Sequence, residues 1–249
     1  MTFDLSGKRA LITGASSGLG AHFARVLIAA GAEVVLAARR LDALEELARQ
    51  LRAVGGLASV VTLDVSDPGS VGDALQCAGS IDILVNNAGV ARSAPLLDEA
   101  VTDIDAVLNT NLRGSLLVAI ATARHMREHG VKGTIINIAS ILGLRQGGQV
   151  SSYAISKAGV IQATKQLALE LARHGIRVNA LAPGYIATDL NAEFFETAAG
   201  QALIQRIPQR RLGALSDLDG PLLLLASEAS RFMTGSVVTV DGGHMVSSL

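Results

Sequence analysis

Short apolar runs alternate with longer amphipathic segments along the whole chain, and this alternation limits the fold more than any other feature. The runs are Arg9–Thr13, Glu33–Ala38, Ala58–Leu63, Ile81–Val85, Thr134–Ile138, Ile176–Leu181 and Val237–Val240. They are rich in Val, Ile and Leu without a polar residue at every second position, which is what strands covered on both faces require. Between them the apolar residues recur at helical spacing. Leu41, Leu44, Leu47, Ala48 and Leu51 form one stripe, with Glu45, Glu46 and Arg49 off it. Strand and helix in steady succession predict βαβ units, a parallel sheet and right-handed crossovers that place helices on both faces.

The punctuation agrees with this reading. Gly31 follows the first helical segment, where a left-handed residue is wanted, and Asp67-Pro68 opens the third with a capping residue followed by a proline. No linker, repeat or shift in composition divides the 249 residues, so one domain over 1–249 is expected. Net charge is −1, which gives no basic excess to hold nucleic acid or an anionic membrane. Cys77 is the single cysteine, so an internal disulfide framework is excluded and a reducing, cytoplasmic location is expected. The first residues, Met1 to Lys8, do not read as a signal peptide, and apolar stretches such as Leu116–Ala121 are too short to span a bilayer. His125 and His129 could share a helix face but lack the adjacent glutamate of a zinc motif, and they read as solvated surface. No metal is expected.

The first strand runs directly into Thr13-Gly14-Ala15-Ser16-Ser17-Gly18-Leu19-Gly20 and then a helix. Gly14 can turn the chain, Gly18 can admit a pyrophosphate close to backbone N–H groups, and Gly20 can bring helix and strand together. The second strand ends at Ala37-Ala38-Arg39-Arg40. An acid that would accept from a ribose 2′-hydroxyl is replaced here by Ala38, while Arg39 and Arg40 can fork onto a 2′-phosphate. NADP is therefore expected, with NAD as the alternative. Tyr153 and Lys157 stand four apart, on one face of a helix, where the ammonium is expected to draw the phenol down from about 10 toward working pH.

Taken in order, Thr13-Gly14-x-x-x-Gly18-x-Gly20, Asp64-Val65, Asn86-Asn87-Ala88-Gly89, Asn111, Ser140, Tyr153-x-x-x-Lys157 and Pro183-Gly184 with Thr188 resemble the short-chain dehydrogenase/reductase family over essentially the whole chain. The resemblance implies a Rossmann-type α/β fold with about seven strands and an oxidoreductase interconverting a carbonyl and an alcohol. It implies that Tyr153 is the acid/base, that Ser140 holds the substrate oxygen, and that Lys157 lowers the Tyr153 pKa and binds ribose. It further implies that Asn111 holds a water in a proton relay. Gly14, Ser16, Ser17, Gly18, Leu19 and Gly20 would cradle the dinucleotide. Asp64 and Val65 would meet its adenine, Asn87, Ala88 and Gly89 would line the cleft, and Pro183, Gly184, Ile186 and Thr188 would hold the carboxamide. Ser17 stands where many NADP-using members have a basic residue, which leaves the 2′-phosphate to Arg39 and Arg40.

The substrate should meet the carboxyl ends of the strands. Leu142, Val150, Tyr185, Phe194 and Phe195, beside Ser140 and Tyr153, suggest a mostly apolar ketone or secondary alcohol, with residues 185–215 as a mobile lid; Arg145 reads either as a contact for an acidic or acyl-carrier substrate or as a solvated loop arginine. A carbonyl reductase, a 3-ketoacyl-carrier-protein-type reductase and an NAD-dependent alcohol or hydroxysteroid dehydrogenase all fit. An epimerase and a cofactor-sensing regulator are further alternatives. The family resemblance also implies a homotetramer formed through the helices after Thr102 and Ser152 and the last strand.

Overall fold

A computed structural model describes residues 3–188 and 192–246. Seven strands form one parallel sheet: β1 (Arg9–Thr13), β2 (Glu33–Ala38), β3 (Ala58–Thr62), β4 (Ile83–Asn86), β5 (Thr134–Ile138), β6 (Arg177–Pro183) and β7 (Val237–Val240). Their order is β3-β2-β1-β4-β5-β6-β7. Every expected strand is present; β1, β2, β5 and β7 have the expected bounds, and β3, β4 and β6 have ends shifted by one or two residues. Pro183, which has no N–H to donate, closes β6 at its carboxyl end, opposite Val240.

The helices that matter for the site are α1 (Gly18–Ala29), α2 (Leu41–Ala53), α3 (Pro68–Ala78), α4 (Val101–Leu108), α5 (Ser115–Glu128) and α6 (Ser151–Leu171). Short helices α7 (Ala192–Glu196) and α8 (Ala198–Ile204) follow β6, and α9 (Asp219–Ala226) precedes β7. Successive strand residues alternate between two cores. Ile12, Leu36, Val85 and Ile136 point toward α1, α2 and α9. Leu11, Val35, Leu84 and Ile135 point toward α3 and α5. Both faces are thus covered, as the uninterrupted apolar strands demand. Gly31 takes φ of +93° after α1, and the Asp67 carboxylate accepts from Gly69 N at 3.0 Å at the start of α3.

The chain winds outward in opposite directions from β1, which pairs with β2 on one side and β4 on the other. A ligand crevice forms outside the carboxyl ends of an open parallel sheet at such a reversal. The glycine loop after β1 and the Asn87–Gly89 turn after β4 stand there. No helix among the described residues is long and apolar enough to cross a membrane.

Candidate active site

Thr13 joins the two loops at the reversal. Its hydroxyl oxygen accepts from Asn87 N and Ala88 N, each at 2.9 Å, and the Asn87 amide donates back to Thr13 O at 3.0 Å. Gly14 has φ of +66°, and a Cβ there would lie 2.9 Å from Ala88 Cα. A Cβ on Gly20 would lie 2.4 Å from Gly14 O, so helix and loop meet only because position 20 has no side chain. Gly18, at φ of +54°, would project a Cβ into open space, which leaves its backbone accessible from the crevice. The loop fits a dinucleotide phosphate by shape.

At the end of β2, one Arg40 amino group donates to Ser16 Oγ at 3.0 Å and Ser17 Oγ at 2.9 Å. The guanidinium and two hydroxyls form a single exposed cluster beside buried Ala38. Arg39 is close enough to Asp64 to favour its carboxylate, although hydrogen bonds from Ser66 are the larger cause of the lowered Asp64 pKa. Val65 is buried behind it.

A cavity of about 410 Å³ runs from this loop to the middle of the sheet. It is lined by Gly14, Ser17, Gly18, Leu19, Asn87, Ala88, Gly89, Ser140, Tyr153, Lys157, Pro183, Gly184, Tyr185, Ile186 and Thr188, together with Val90, Ala91, Ile138 and Ala139. Residues separated by up to 174 positions in sequence therefore share one crevice. Ser16, Gly20, Arg39, Arg40, Asp64, Val65 and Asn111 are not on its wall.

Ser140 follows β5 and caps a short turn, its hydroxyl accepting from Leu142 N at 3.1 Å. The same hydroxyl is hydrogen-bonded to the Tyr153 phenol and favours its ionisation. Burial acts more strongly in the opposite direction, so the Tyr153 pKa lies above its usual value. The expected lowering by Lys157 is not what this structure shows. The Lys157 ammonium lies 5.6 Å from the Tyr153 ring centre and is turned to the end of β5, where it donates to Ile138 O at 2.8 Å. Lys157 is only 5 % exposed, and burial lowers its own pKa to about 8.

Asn111 lies on a single wide helical turn, Asn109–Gly114, inserted between α4 and α5. Such π-type turns are frequent at functional sites because they re-aim one residue out of the helical ladder. Here Asn111 Oδ1 accepts from Val90 N at 2.7 Å, and Nδ2 donates to Val90 O at 2.8 Å and Ser156 Oγ at 3.1 Å. Ser156 is one helical turn beyond Tyr153 and donates to Tyr153 O at 2.7 Å. Gly89 completes the approach, since a Cβ there would stand 3.2 Å from Asn111 Oδ1 and 3.7 Å from Lys157 Nζ.

The supporting residues Thr13, Val90, Ile138 and Ser156 were not separately assigned from sequence. All four act through a backbone group or a short hydroxyl, which leaves no compositional signal. Thr13 could have been found from its place as the last residue of the strand entering the glycine loop.

The substrate end differs from expectation. Leu142 and Tyr185 line a second cavity of about 840 Å³ that adjoins the first at Tyr185, but Val150, Phe194 and Phe195 line neither. Phe195 is buried edge-on against Tyr185, with ring centres 6.0 Å apart, and Phe194 packs on it while remaining 47 % exposed. Both are spent on seating the short helix α7. Val150 lies beside Leu142, against Gly147. Polar side chains take the expected apolar places: Arg145, Gln146, Gln205, Arg206, Arg210 and His244. His125 is likewise not simply solvated, since its ring bonds to Gly79 O at 2.8 Å. Asp189, Leu190 and Asn191 of the anticipated lid, and Ser247, Ser248 and Leu249 of the tail, lie outside the described residues.

Residues 8–199 match the family model for short chain dehydrogenase. The chain belongs to the short-chain dehydrogenase/reductase family. It is 39 % identical to gluconate 5-dehydrogenase of Gluconobacter oxydans over 250 aligned positions, covering 98 % of this chain and 97 % of that protein. It is 37 % identical to the 3-oxoacyl-(acyl-carrier-protein) reductase FabG of Thermotoga maritima, covering 97 % and 99 %. The crystal structure of a gluconate 5-dehydrogenase from Burkholderia cenocepacia in complex with NADP and tartrate superposes with a TM-score of 0.95 at 40 % identity, covering 99 % of this chain and 98 % of that one. As a short-chain dehydrogenase/reductase, this protein is an oxidoreductase acting on CH–OH groups with a nicotinamide dinucleotide as its cofactor.

Proposed function

We propose that the enzyme interconverts a ketone and a secondary alcohol with a preference for NADP(H), using Tyr153 as general acid/base. The observation that carries this reading is the convergence of Ser140, Tyr153, Lys157 and buried Asn111 around one end of the crevice whose other end holds the Arg40–Ser16–Ser17 cluster.

The bound dinucleotide supplies or accepts the hydride. The protein residues manage the oxygen and its proton. In reduction, the Tyr153 phenol donates its proton to the substrate oxygen as negative charge develops there. Ser140, held by the Leu142 N–H, has one O–H, directed at the Tyr153 oxygen, and this would turn to the substrate oxygen as charge develops there. Phenolate left at Tyr153 is restored by Lys157, whose pKa of about 8 suits proton exchange near neutral pH. Asn111 fixes Val90 and the Tyr153 segment through Ser156, so the relay is held by the π-turn. Gly14 to Gly20 would hold the pyrophosphate, Arg40 with Ser16 and Ser17 the 2′-phosphate, and Thr188 and Ile186 the carboxamide.

Residues 185–215 form the cover in this reading. A homotetramer formed through the outer groove between α5 and α6, where Leu116 and Ile120 face Leu167 and Leu171, belongs to it as well. A monomer mass by light scattering would refute that assembly.

Cofactor choice is tested by consumption of NADPH and NADH over a panel of ketones. A kcat/KM at least tenfold higher with NADPH supports the Arg40 assignment; equal or better use of NADH overturns it.

A further inference from the structure

We infer that Glu99, which does not line the crevice, is a positioning residue: through Ser152 it fixes the first turn of α6 and with it the Tyr153 phenol. The inference rests on the acid/base reading above.

Tyr153 is the third residue of α6. The N–H groups of a helix's first turn have no partner within the helix, and an N-cap side chain ordinarily takes one of them. Val150 stands at that place, carries no polar side-chain atom and makes no such bond. The helix opens with Ala154 N donating to Val150 O at 2.8 Å. The group that must meet the substrate oxygen thus sits on the part of α6 most prone to fraying.

The entry to α6 is held instead by the segment between β4 and α4. Ala94 N donates to Gln149 O at 3.0 Å. Gln149 has φ of +63°, a left-handed conformation that a non-glycine residue keeps only where its surroundings impose it. Three residues further on, the Ser152 hydroxyl donates to the Glu99 carboxylate. Ser152 is 2 % exposed, and a hydroxyl buried to that degree needs a partner. Half-buried Glu99 precedes α4 by one residue, and its charge near the N-terminus of α6 is favourable against the helix dipole.

One contact therefore holds the residue before Val150, and the other holds the residue before Tyr153. Glu99 is not among the charges that move the Tyr153 pKa, so it acts by geometry. A drift of the first turn would carry the phenol away from Ser140, its hydrogen-bond partner. A misplacement of about 1 Å can cost on the order of 10² in rate. The other end of the same segment is tied as well, since Asn111 holds Val90. Residues 90–99 thus link the π-turn to the helix that carries Tyr153.

The test is NADPH oxidation over the ketone panel, diacetyl included, in Glu99→Ala, Glu99→Gln, Ser152→Ala and the Glu99→Ala/Ser152→Ala double variant. Fluorescence titration of the same preparations gives NADPH affinity and the number of binding sites. Glu99→Ala should lower kcat per binding site at least tenfold while the Kd for NADPH stays within threefold. Glu99→Gln, which keeps an acceptor for Ser152, should recover most of the rate. Ser152→Ala should show the same split, and the double variant should be no slower than the slower single, because the two residues act through one bond. A merely structural role would reduce the number of binding sites and the Tm without changing kcat per site. Wild-type kcat per site in both single variants, equal losses in Glu99→Ala and Glu99→Gln, or additive losses in the double variant would overturn the inference. Tyr153→Phe run alongside separates the two levels. If it turns over at the wild-type rate, the acid/base reading has failed; if it alone is slow, only the role of Glu99 falls.

Discussion

The side chain of Asn111 pairs with both backbone groups of Val90, accepting from its N–H at 2.7 Å and donating to its carbonyl at 2.8 Å. A loop lining the crevice is thereby tied to a wide helical turn through its buried Asn111. Asn111→Ala leaves both Val90 groups without this partner, and an unsatisfied buried polar group costs roughly 1–3 kcal/mol. A loss of about 3 kcal/mol in denaturant unfolding is predicted, with Asn111→Asp intermediate because it keeps only the acceptor. Unchanged stability in Asn111→Ala would show that the pairing is replaced by water.

Arg40 donates to Ser16 and Ser17 at the rim of the glycine loop, and this geometry predicts cofactor choice. In Arg40→Ala the KM for NADPH should rise at least tenfold while that for NADH changes less than threefold. Adding Ala38→Asp, which supplies an acceptor for a ribose 2′-hydroxyl, should shift the preference to NADH. Parallel steady-state assays with the two cofactors decide this.

Lys157 makes folding depend on pH in a defined direction. The unfolded chain keeps the Lys157 proton up to about pH 10.4, whereas the folded protein releases it near 8. Between these values unfolding takes up a proton, so rising pH favours the fold. Wild type should therefore gain up to about 3 kcal/mol relative to Lys157→Met from pH 7.5 to 10, since each step of one pH between the two values contributes on the order of 1.4 kcal/mol. Paired denaturation curves at the two pH values measure it, and a difference independent of pH would contradict the burial of the ammonium.

Gly20 allows α1 to approach the glycine loop. Gly20→Ala forces a Cβ to within 2.4 Å of Gly14 O, and overpacking of this kind costs roughly 1–3 kcal/mol. The variant should lose cofactor affinity more than tenfold by fluorescence titration and melt earlier; wild-type affinity would place the phosphates elsewhere.

Much of this was legible in the sequence. Uninterrupted apolar runs located all seven strands, because a strand covered on both faces has no polar side to obscure it. The glycine loop and the Ser140, Tyr153 and Lys157 set could be read because each motif is local, and the fold brings them to one crevice. Two kinds of information were hidden. The bond from Lys157 to the Ile138 carbonyl, and the burial that raises rather than lowers the Tyr153 pKa, are not encoded by spacing. Spacing also does not show that Phe194 and Phe195, apolar by type, pack on each other and on Tyr185 instead of lining the neighbouring cavity, which draws Arg206 and His244 from segments 61 and 99 residues beyond Arg145.

The central claim is that Tyr153 delivers the proton to the substrate oxygen. Single-turnover NADPH oxidation in Tyr153→Phe, with cofactor binding measured in the same preparation, tests it most directly. The expected result is a rate lower by roughly 10²–10⁴ with NADPH affinity within threefold of wild type. A variant that binds NADPH and turns over at the wild-type rate would contradict it.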